Sequence, residues 1–139
     1  SVIPRRSRFH ETVVHTIATC DRFDRRFDQF EAVHDAILEP LKSYNWVHVL
    51  PNAAIVVSAL LLGGGDYERT ISAAVMAGYD TDCNGATAGS TCGAMIGAEA
   101  LPRRWTDPLN DTLYSAIPGY HPISIRECAR RSLAITQTS

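Results

Sequence analysis

Two carboxylates one residue apart, Asp80 and Asp82, are the side chains in this sequence best suited to chemistry. They lie in a short loop, residues 78–82, that begins with glycine. Carboxylate oxygens bind hard divalent cations such as Mg²⁺ and Mn²⁺, and two neighbouring acids repel each other unless a cation lies between them. Aspartate is also a favoured helix N-cap, and acids are stabilised near a helix N-terminus. The spacing is therefore compatible both with a metal site and with a capped helix.

A segment of small residues follows the two acids, with glycine at every fourth position: Gly85, Gly89, Gly93 and Gly97. On a helix, positions four apart share one face. Each glycine inside a helix costs about 0.5–1 kcal/mol relative to alanine. Four glycines on one face therefore predict that another backbone, or a ligand, approaches this helix closely.

The rest of the sequence predicts helices and no strands, so the expected fold class is all-α. We expect about six or seven helices in one orthogonal multi-helix domain over residues 1–139. Ser7 is placed to cap a first helix. Its apolar positions recur at helical spacing and predict the buried face, which consists of Phe9, Val13, Ile17 and Cys20.

Further helices are predicted around the acid loop. Residues 53–62 are apolar nearly all round, which predicts a buried central helix, with Asn52 as its N-cap. Asp66 is expected to cap a helix over 67–77, which Gly78 ends just before the two acids. Asp107 followed by proline predicts a helix over 109–117, and a last helix is expected over 122–136.

Residues 78–82, the glycine-rich helix and the Leu-Pro-Arg-Arg-Trp segment at 101–105 together resemble the C-terminal signature of the ADP-ribosylglycohydrolase family. The likeness also includes residues 3–4, 48, 51–52 and 111–113. Members of that family remove ADP-ribose from arginine or serine side chains, or reactivate dinitrogenase reductase. The resemblance implies an all-helical fold and hydrolysis of the glycosidic bond of an ADP-ribosyl group.

The same resemblance implies a metal site. Asp80 and Asp82 would be ligands to a pair of Mg²⁺ (or Mn²⁺) ions at the bottom of a cleft. The next family position is usually threonine or serine but is Cys83 here, a third candidate ligand whose soft thiol matches magnesium poorly. The resemblance also implies substrate-binding residues, which are Gly78, Tyr79, Asn84 and His48.

Three of these neighbouring residues have a structural interpretation as well. Tyr79 could line the pocket for the sugar or adenine, or be a core aromatic residue. A histidine in a connector, such as His48, is more often structural than a ligand contact. Capping would account fully for Asn52.

Two patterns of the family's N-terminal half, a Gly-Asp-x-x-Gly opening and a Ser/Thr-Asp-Asp ligand run, do not occur in these residues. The expectation is that the chain is the C-terminal portion of such an enzyme. It would carry half of the metal site and be inactive until joined to its N-terminal half. No catalytic acid or base is assignable in this segment. The expected partners are that missing half and an ADP-ribosylated substrate or ADP-ribose.

Composition limits the other function classes. The net charge is −2, which indicates no nucleic-acid footprint. The longest apolar run, residues 53–62, is too short to span a membrane. Four cysteines without a CxxC pair or zinc spacing favour a reducing, cytoplasmic location. Two alternatives to the enzyme remain: a non-catalytic helical binding module that kept the fold, and a module that self-associates through an exposed apolar face.

Overall fold

The computed structural model describes residues 2–136, which contain seven α-helices, four short 3₁₀ turns and one pair of two-residue strands. The all-α prediction is confirmed. Within these residues no helix combines the length and the apolar character needed to cross a membrane. In chain order the elements are α1 (Arg8–Arg22), α2 (Phe30–Leu38), α3 (Val49–Gly63), α4 (Tyr67–Met76), α5 (Thr81–Ile96), α6 (Arg103–Thr106), β1 (Thr112–Leu113), β2 (Ile123–Ser124) and α7 (Ile125–Thr136).

Contacts between residues divide the chain into two compact units, of which the first ends at Glu99 and the second begins at Ala100. The first unit contains α1 to α5, and the second contains α6, the strand pair and α7. Among the described residues, every buried side chain belongs to the first unit. The organisation of residues 1–139 as a single domain stays a prediction.

Helix α3 is the centre of the first unit, where it packs against α1, α2, α4 and α5. Its Ile55 is 1% exposed and lies in one core cluster with Val33 and Ile37 of α2, which are fully buried. Burying a side chain of this size contributes about 1.5–3 kcal/mol. The predicted central helix is confirmed, although it begins at Val49, earlier than the predicted residue 53.

The buried face of α1 differs from the predicted one. Its buried residues are Thr12, Thr16, Thr19 and Cys20, whereas Ile17 is 37% exposed and Phe9 is only partly buried. The Thr12 hydroxyl donates to the Arg8 carbonyl and the Thr16 hydroxyl to the Thr12 carbonyl, both at 2.8 Å. Because these hydroxyls find partners within the helix, burial costs them little. A pattern of apolar residues alone therefore misses this face.

Helices α4 and α5 lie close together at two of the four spaced glycines. A Cβ added at Gly85 would lie 3.0 Å from Val75 Cγ2, and one added at Gly89 would lie 3.3 Å from Ile71 Cδ1. Both neighbours are α4 side chains. The close approach at these two positions is therefore made by α4 side chains, not by the backbone or ligand that the sequence predicted. Gly97 has another role, because its φ of 81° ends the helix.

The predicted helix over 109–117 is wrong. A 3₁₀ turn ends at Leu109, and Asn110 and Asp111 then adopt left-handed φ values of 45° and 48°, which no α-helix continues. Residues Thr112 and Leu113 instead pair antiparallel with Ser124 and Ile123. The absence of strands, expected from the sequence, therefore fails at this pair.

The Asp111 side chain explains the turn that replaces this helix. Its carboxylate accepts hydrogen bonds from the Ser124 hydroxyl at 2.6 Å and the Arg126 amide at 3.0 Å. Both bonds lower the pKa of Asp111, and the bond from the Ser124 hydroxyl has the larger effect. The two bonds join Asp111 to β2 and to the start of α7, and thereby stabilise the turn.

Candidate metal centre

The loop that carries the acids reverses direction over two left-handed residues. Helix α4 ends at Met76, and Gly78 and Tyr79 follow with φ values of 74° and 59°. Glycine adopts this conformation without a steric penalty, whereas a bulky residue such as tyrosine rarely does. Unusual backbone of this kind is concentrated at functional sites. The reversal brings Asp80 to the position immediately before α5.

Asp80, Asp82 and Cys83 form a cluster in which one ligand atom from each lies within 4.8 Å of the others. Asp80 is partly buried and the other two are exposed. Residues 2–136 contain no second group of three or more acidic, histidine or cysteine side chains as close as this. The cluster is therefore the place in the described chain where a cation could be held.

Cys83 is hydrogen-bonded to Asp80 within this cluster. Its thiol donates a hydrogen bond to the Asp80 carboxylate, and this bond, together with the negative charge of Asp80, raises the pKa of Cys83. Of the three donors, the two carboxylates fit a hard cation, whereas a soft thiol matches magnesium poorly. The role of Cys83 as a third ligand stays a prediction.

Asp80 has the position of an N-cap without making the bond of one. Its side chain accepts no hydrogen bond from a backbone amide in the first turn of α5, and the bond that it does accept from this turn comes from the Cys83 thiol. The caps of two other helices do: Ser7 accepts from the His10 amide at 3.1 Å, and Asp66 accepts from the Arg69 amide at 3.0 Å. Asp80 therefore has the sequence position of a cap, but its carboxylate does not make a capping bond to the helix backbone.

Asn52 bonds directly to this loop, and its prediction as an N-cap is wrong. The N-cap of α3 is His48, whose Nδ1 accepts from the Leu50 amide at 3.2 Å. Asn52 lies one turn further along. Its Oδ1 accepts hydrogen bonds from the Asp80 amide at 3.2 Å and from Asn84 Nδ2 at 2.8 Å.

A comparison with known protein families assigns this chain to one of them. A family model described as ADP-ribosylglycohydrolase matches residues 3–136. The chain belongs to the ADP-ribosylglycohydrolase family. Comparison with curated proteins and with solved structures gave no match. The family assignment made from residues 78–82, the glycine-rich helix and the 101–105 segment is confirmed, and with it the class of hydrolases that act on ADP-ribosyl groups.

The other residues proposed for this glycohydrolase site lie around the loop in different environments. Asn84 is 2% exposed and bonds to Asn52, so it lies beneath the loop. Tyr79 is partly buried and packs against the core cluster of the first unit, in line with the core interpretation. Gly78 has open space around its Cα, so its left-handed φ is what requires glycine. Their contacts with substrate stay predictions.

His48 is joined to the acid loop through Asn52. The His48 carbonyl accepts from Asn52 Nδ2 at 2.9 Å. Its ring is partly buried and lies 4.3 Å from the ring of Tyr44, centroid to centroid. Tyr44 in turn lines a cleft of about 220 Å³ between α1 and the start of α3, which also includes Arg8 and Leu50. The acid cluster is not part of that cleft.

Sequence reasoning included Asn52 among the positions shared with the family but explained it as a helix cap. An informative signal was present, because asparagine is a poor residue for a helix interior and Asn52 directly follows Pro51, which already lies in the first turn. Proline is common in the first turn, where its missing N–H costs nothing. Placing the helix start before Pro51 would have left Asn52 without a capping role.

Proposed function

We propose that this chain takes part in the metal-dependent hydrolysis of the glycosidic bond of ADP-ribosyl groups, with Asp80 and Asp82 holding Mg²⁺. The observation that carries the proposal is the Asp80 carboxylate. It lies at a helix start without a capping bond and within 4.8 Å of a second carboxylate oxygen, in a chain of the ADP-ribosylglycohydrolase family.

In this proposal the carboxylates of Asp80 and Asp82 would hold the metal ion against the substrate. A divalent cation held there would supply orientation of the ribose hydroxyls and activation of a water molecule for hydrolysis. Asp80, held at its backbone by Asn52, would present its carboxylate in one position. Asp82 lies in the first turn of α5, where the helix dipole also stabilises its charge.

The cluster supplies only part of the ligands that such a site needs. Magnesium takes six oxygen ligands in near-octahedral geometry and keeps several waters, and a pair of ions needs more. Two carboxylates meet a minority of that demand. We therefore expect residues 1–139 alone to bind Mg²⁺ or Mn²⁺ weakly and to turn over no ADP-ribosyl substrate, with further acids supplied by another part of the enzyme.

Paramagnetic broadening by Mn²⁺ tests the proposal in a way suited to weak binding. Titration of the isotope-labelled chain should broaden the amide signals of residues 78–84 first. Asp80→Asn and Asp82→Asn should each raise the Mn²⁺ concentration needed at least about tenfold, since each removes a charged oxygen ligand. Asp35→Asn, a change at an aspartate that is 88% exposed on α2, is the matched control and should change nothing.

Two outcomes would contradict the metal proposal. Broadening spread evenly over surface carboxylates would mean that the cluster is no site. Broadening at residues 78–84 that persists in both variants would mean that other groups attract the ion. Binding of ADP-ribose without metal by either variant would favour the non-catalytic binding module instead.

A further inference from the structure

We propose that Asn52 is the positioning residue of the metal centre: its amide sets the Asp80 backbone, so that the Asp80 carboxylate is available to a cation. The inference rests on the proposed function and deepens it. It assigns a role to a residue on α3 that is neither a ligand nor a substrate contact.

Asn52 uses the full hydrogen-bonding capacity of its side chain, two acceptor positions and two donors. Oδ1 accepts from the Asp80 amide and from Asn84 Nδ2. Nδ2 donates to the Trp46 carbonyl at 2.7 Å and to the His48 carbonyl at 2.9 Å. One amide therefore joins residues 46–48 to the acid loop, whose Asp80 lies 28 residues from Asn52 in sequence.

The orientation of this amide follows from its partners. The Asp80 backbone N–H can only donate, and the Trp46 and His48 carbonyls can only accept. If the amide were rotated by half a turn, Nδ2 would face the Asp80 N–H, so that two donors would meet. Oδ1 would then face the Trp46 and His48 carbonyls, so that acceptors would meet acceptors. Oδ1 must therefore point to the acid loop and Nδ2 to residues 46–48.

The bond from the Asp80 amide to Oδ1 replaces what the third helical side chain does in a capping box. In a capping box, a side chain three residues into the helix accepts from the N-cap backbone N–H. For α5 this acceptor comes from Asn52 on another helix. Asn84, one turn into α5, is attached to the same oxygen. The start of α5 is thus held at two points without using the Asp80 carboxylate.

This arrangement predicts which atoms of Asn52 matter for the metal. The acceptor Oδ1 positions Asp80, whereas the donor Nδ2 positions residues 46–48. Groups that orient metal ligands from behind typically change metal affinity 10–100-fold when removed. Asn52→Leu removes both functions. Asn52→Asp keeps an acceptor for Asp80 and Asn84 but loses the two donors.

Amide hydrogen exchange on the metal-free full chain tests the positioning role. Because no metal is present, the result does not depend on how a variant changes metal affinity. Asn52→Leu should speed exchange of the Asp80 amide at least about tenfold while the amide of buried Ile55 keeps its rate. Asn52→Asp should restore protection of Asp80. Ser58→Ala, which removes a bond confined to α3, should leave both amides unchanged.

The Mn²⁺ titration completes the test. Asn52→Leu should need about 10–100-fold more Mn²⁺ to broaden residues 78–84, with Ser58→Ala as the control. Unaltered Mn²⁺ binding by folded Asn52→Leu would overturn this inference alone, as would equal acceleration at Asp80 and Ile55, which marks a merely structural role. Failure of the unaltered chain to bind Mn²⁺ would overturn the proposed function and this inference with it.

Discussion

Single side chains decide which groups of this chain stay available for chemistry. The Asp80 carboxylate makes no capping bond, and Asn52 holds the Asp80 backbone from α3. The Cys83 thiol, at the position of a third ligand, donates a hydrogen bond to the Asp80 carboxylate, and this bond raises the pKa of Cys83. The chemical difference between these neighbours arises from their hydrogen bonds, not from their residue types alone.

Cys20 gives a pH-dependent prediction at the same scale. Its thiol is fully buried, and the burial, followed by the charge of Asp21, raises its pKa from 9.0 to about 11. Between these pH values the unfolded chain loses the thiol proton while the folded chain keeps it. The unfolded state then binds fewer protons, so the free energy of unfolding falls as pH rises, by at most about 2–3 kcal/mol.

Guanidinium denaturation of the whole chain, from neutral pH to pH 11, measures this loss. Cys20→Ala is the control, since it removes the titrating group, and its unfolding free energy should decline less steeply over the alkaline range. Parallel curves for the two proteins would show that the Cys20 thiol does not contribute.

At the scale of elements, glycines set how closely the helices around the site can pack. The end of α3 meets α4 at Gly63, where an added Cβ would lie 2.1 Å from Thr70 Oγ1 and 2.9 Å from Thr70 Cα. Helix α5 meets α4 less tightly at Gly89, where the nearest atom is the end of the Ile71 side chain at 3.3 Å. Since α4 leads into the acid loop, these contacts place the loop relative to α3.

The same substitution at the two glycines should have different effects. Gly63→Ala pushes against the backbone and hydroxyl of buried Thr70, so it should destabilise the protein by about 1–3 kcal/mol. Gly89→Ala meets a side chain that can rotate, and alanine's helix propensity offsets the contact by about 0.5–1 kcal/mol. Thermal unfolding of both variants measures this, and equal losses would contradict the packing explanation.

At the scale of the whole molecule, the core and the candidate site belong to the same compact unit. All buried side chains among residues 2–136 lie before Glu99, and so do Asn52 and the cluster from Asp80 to Cys83. The second unit contains the strand pair and α7, none of whose described residues is buried. Buried apolar area is the main source of folding free energy.

A chain shortened to residues 1–99 should therefore keep a cooperative unfolding transition and the Mn²⁺ effect on residues 78–84. Calorimetry and the same titration on the shortened and the full chains would test this. Loss of the transition on shortening would support the prediction of one domain over 1–139, because the core would then depend on residues after Glu99.

The sequence by itself determined the helical fold class, the central helix α3, the acid loop before a glycine-rich helix and the family. These features follow from periodicity, end signals and short motifs, which act over a few neighbouring residues. For the same reason Ser7 and Asp66 were correctly predicted as caps.

Only the tertiary structure decided the role of Asn52, the threonine-lined face of α1 and the turn at Asp111. Each depends on partners or packing that local patterns do not contain: Asn52 bonds to an amide 28 residues away, and Asp111 to a hydroxyl 13 residues away. A polar side chain is stable wherever its hydrogen bonds are met, and the partners that meet them are brought together only when the chain folds.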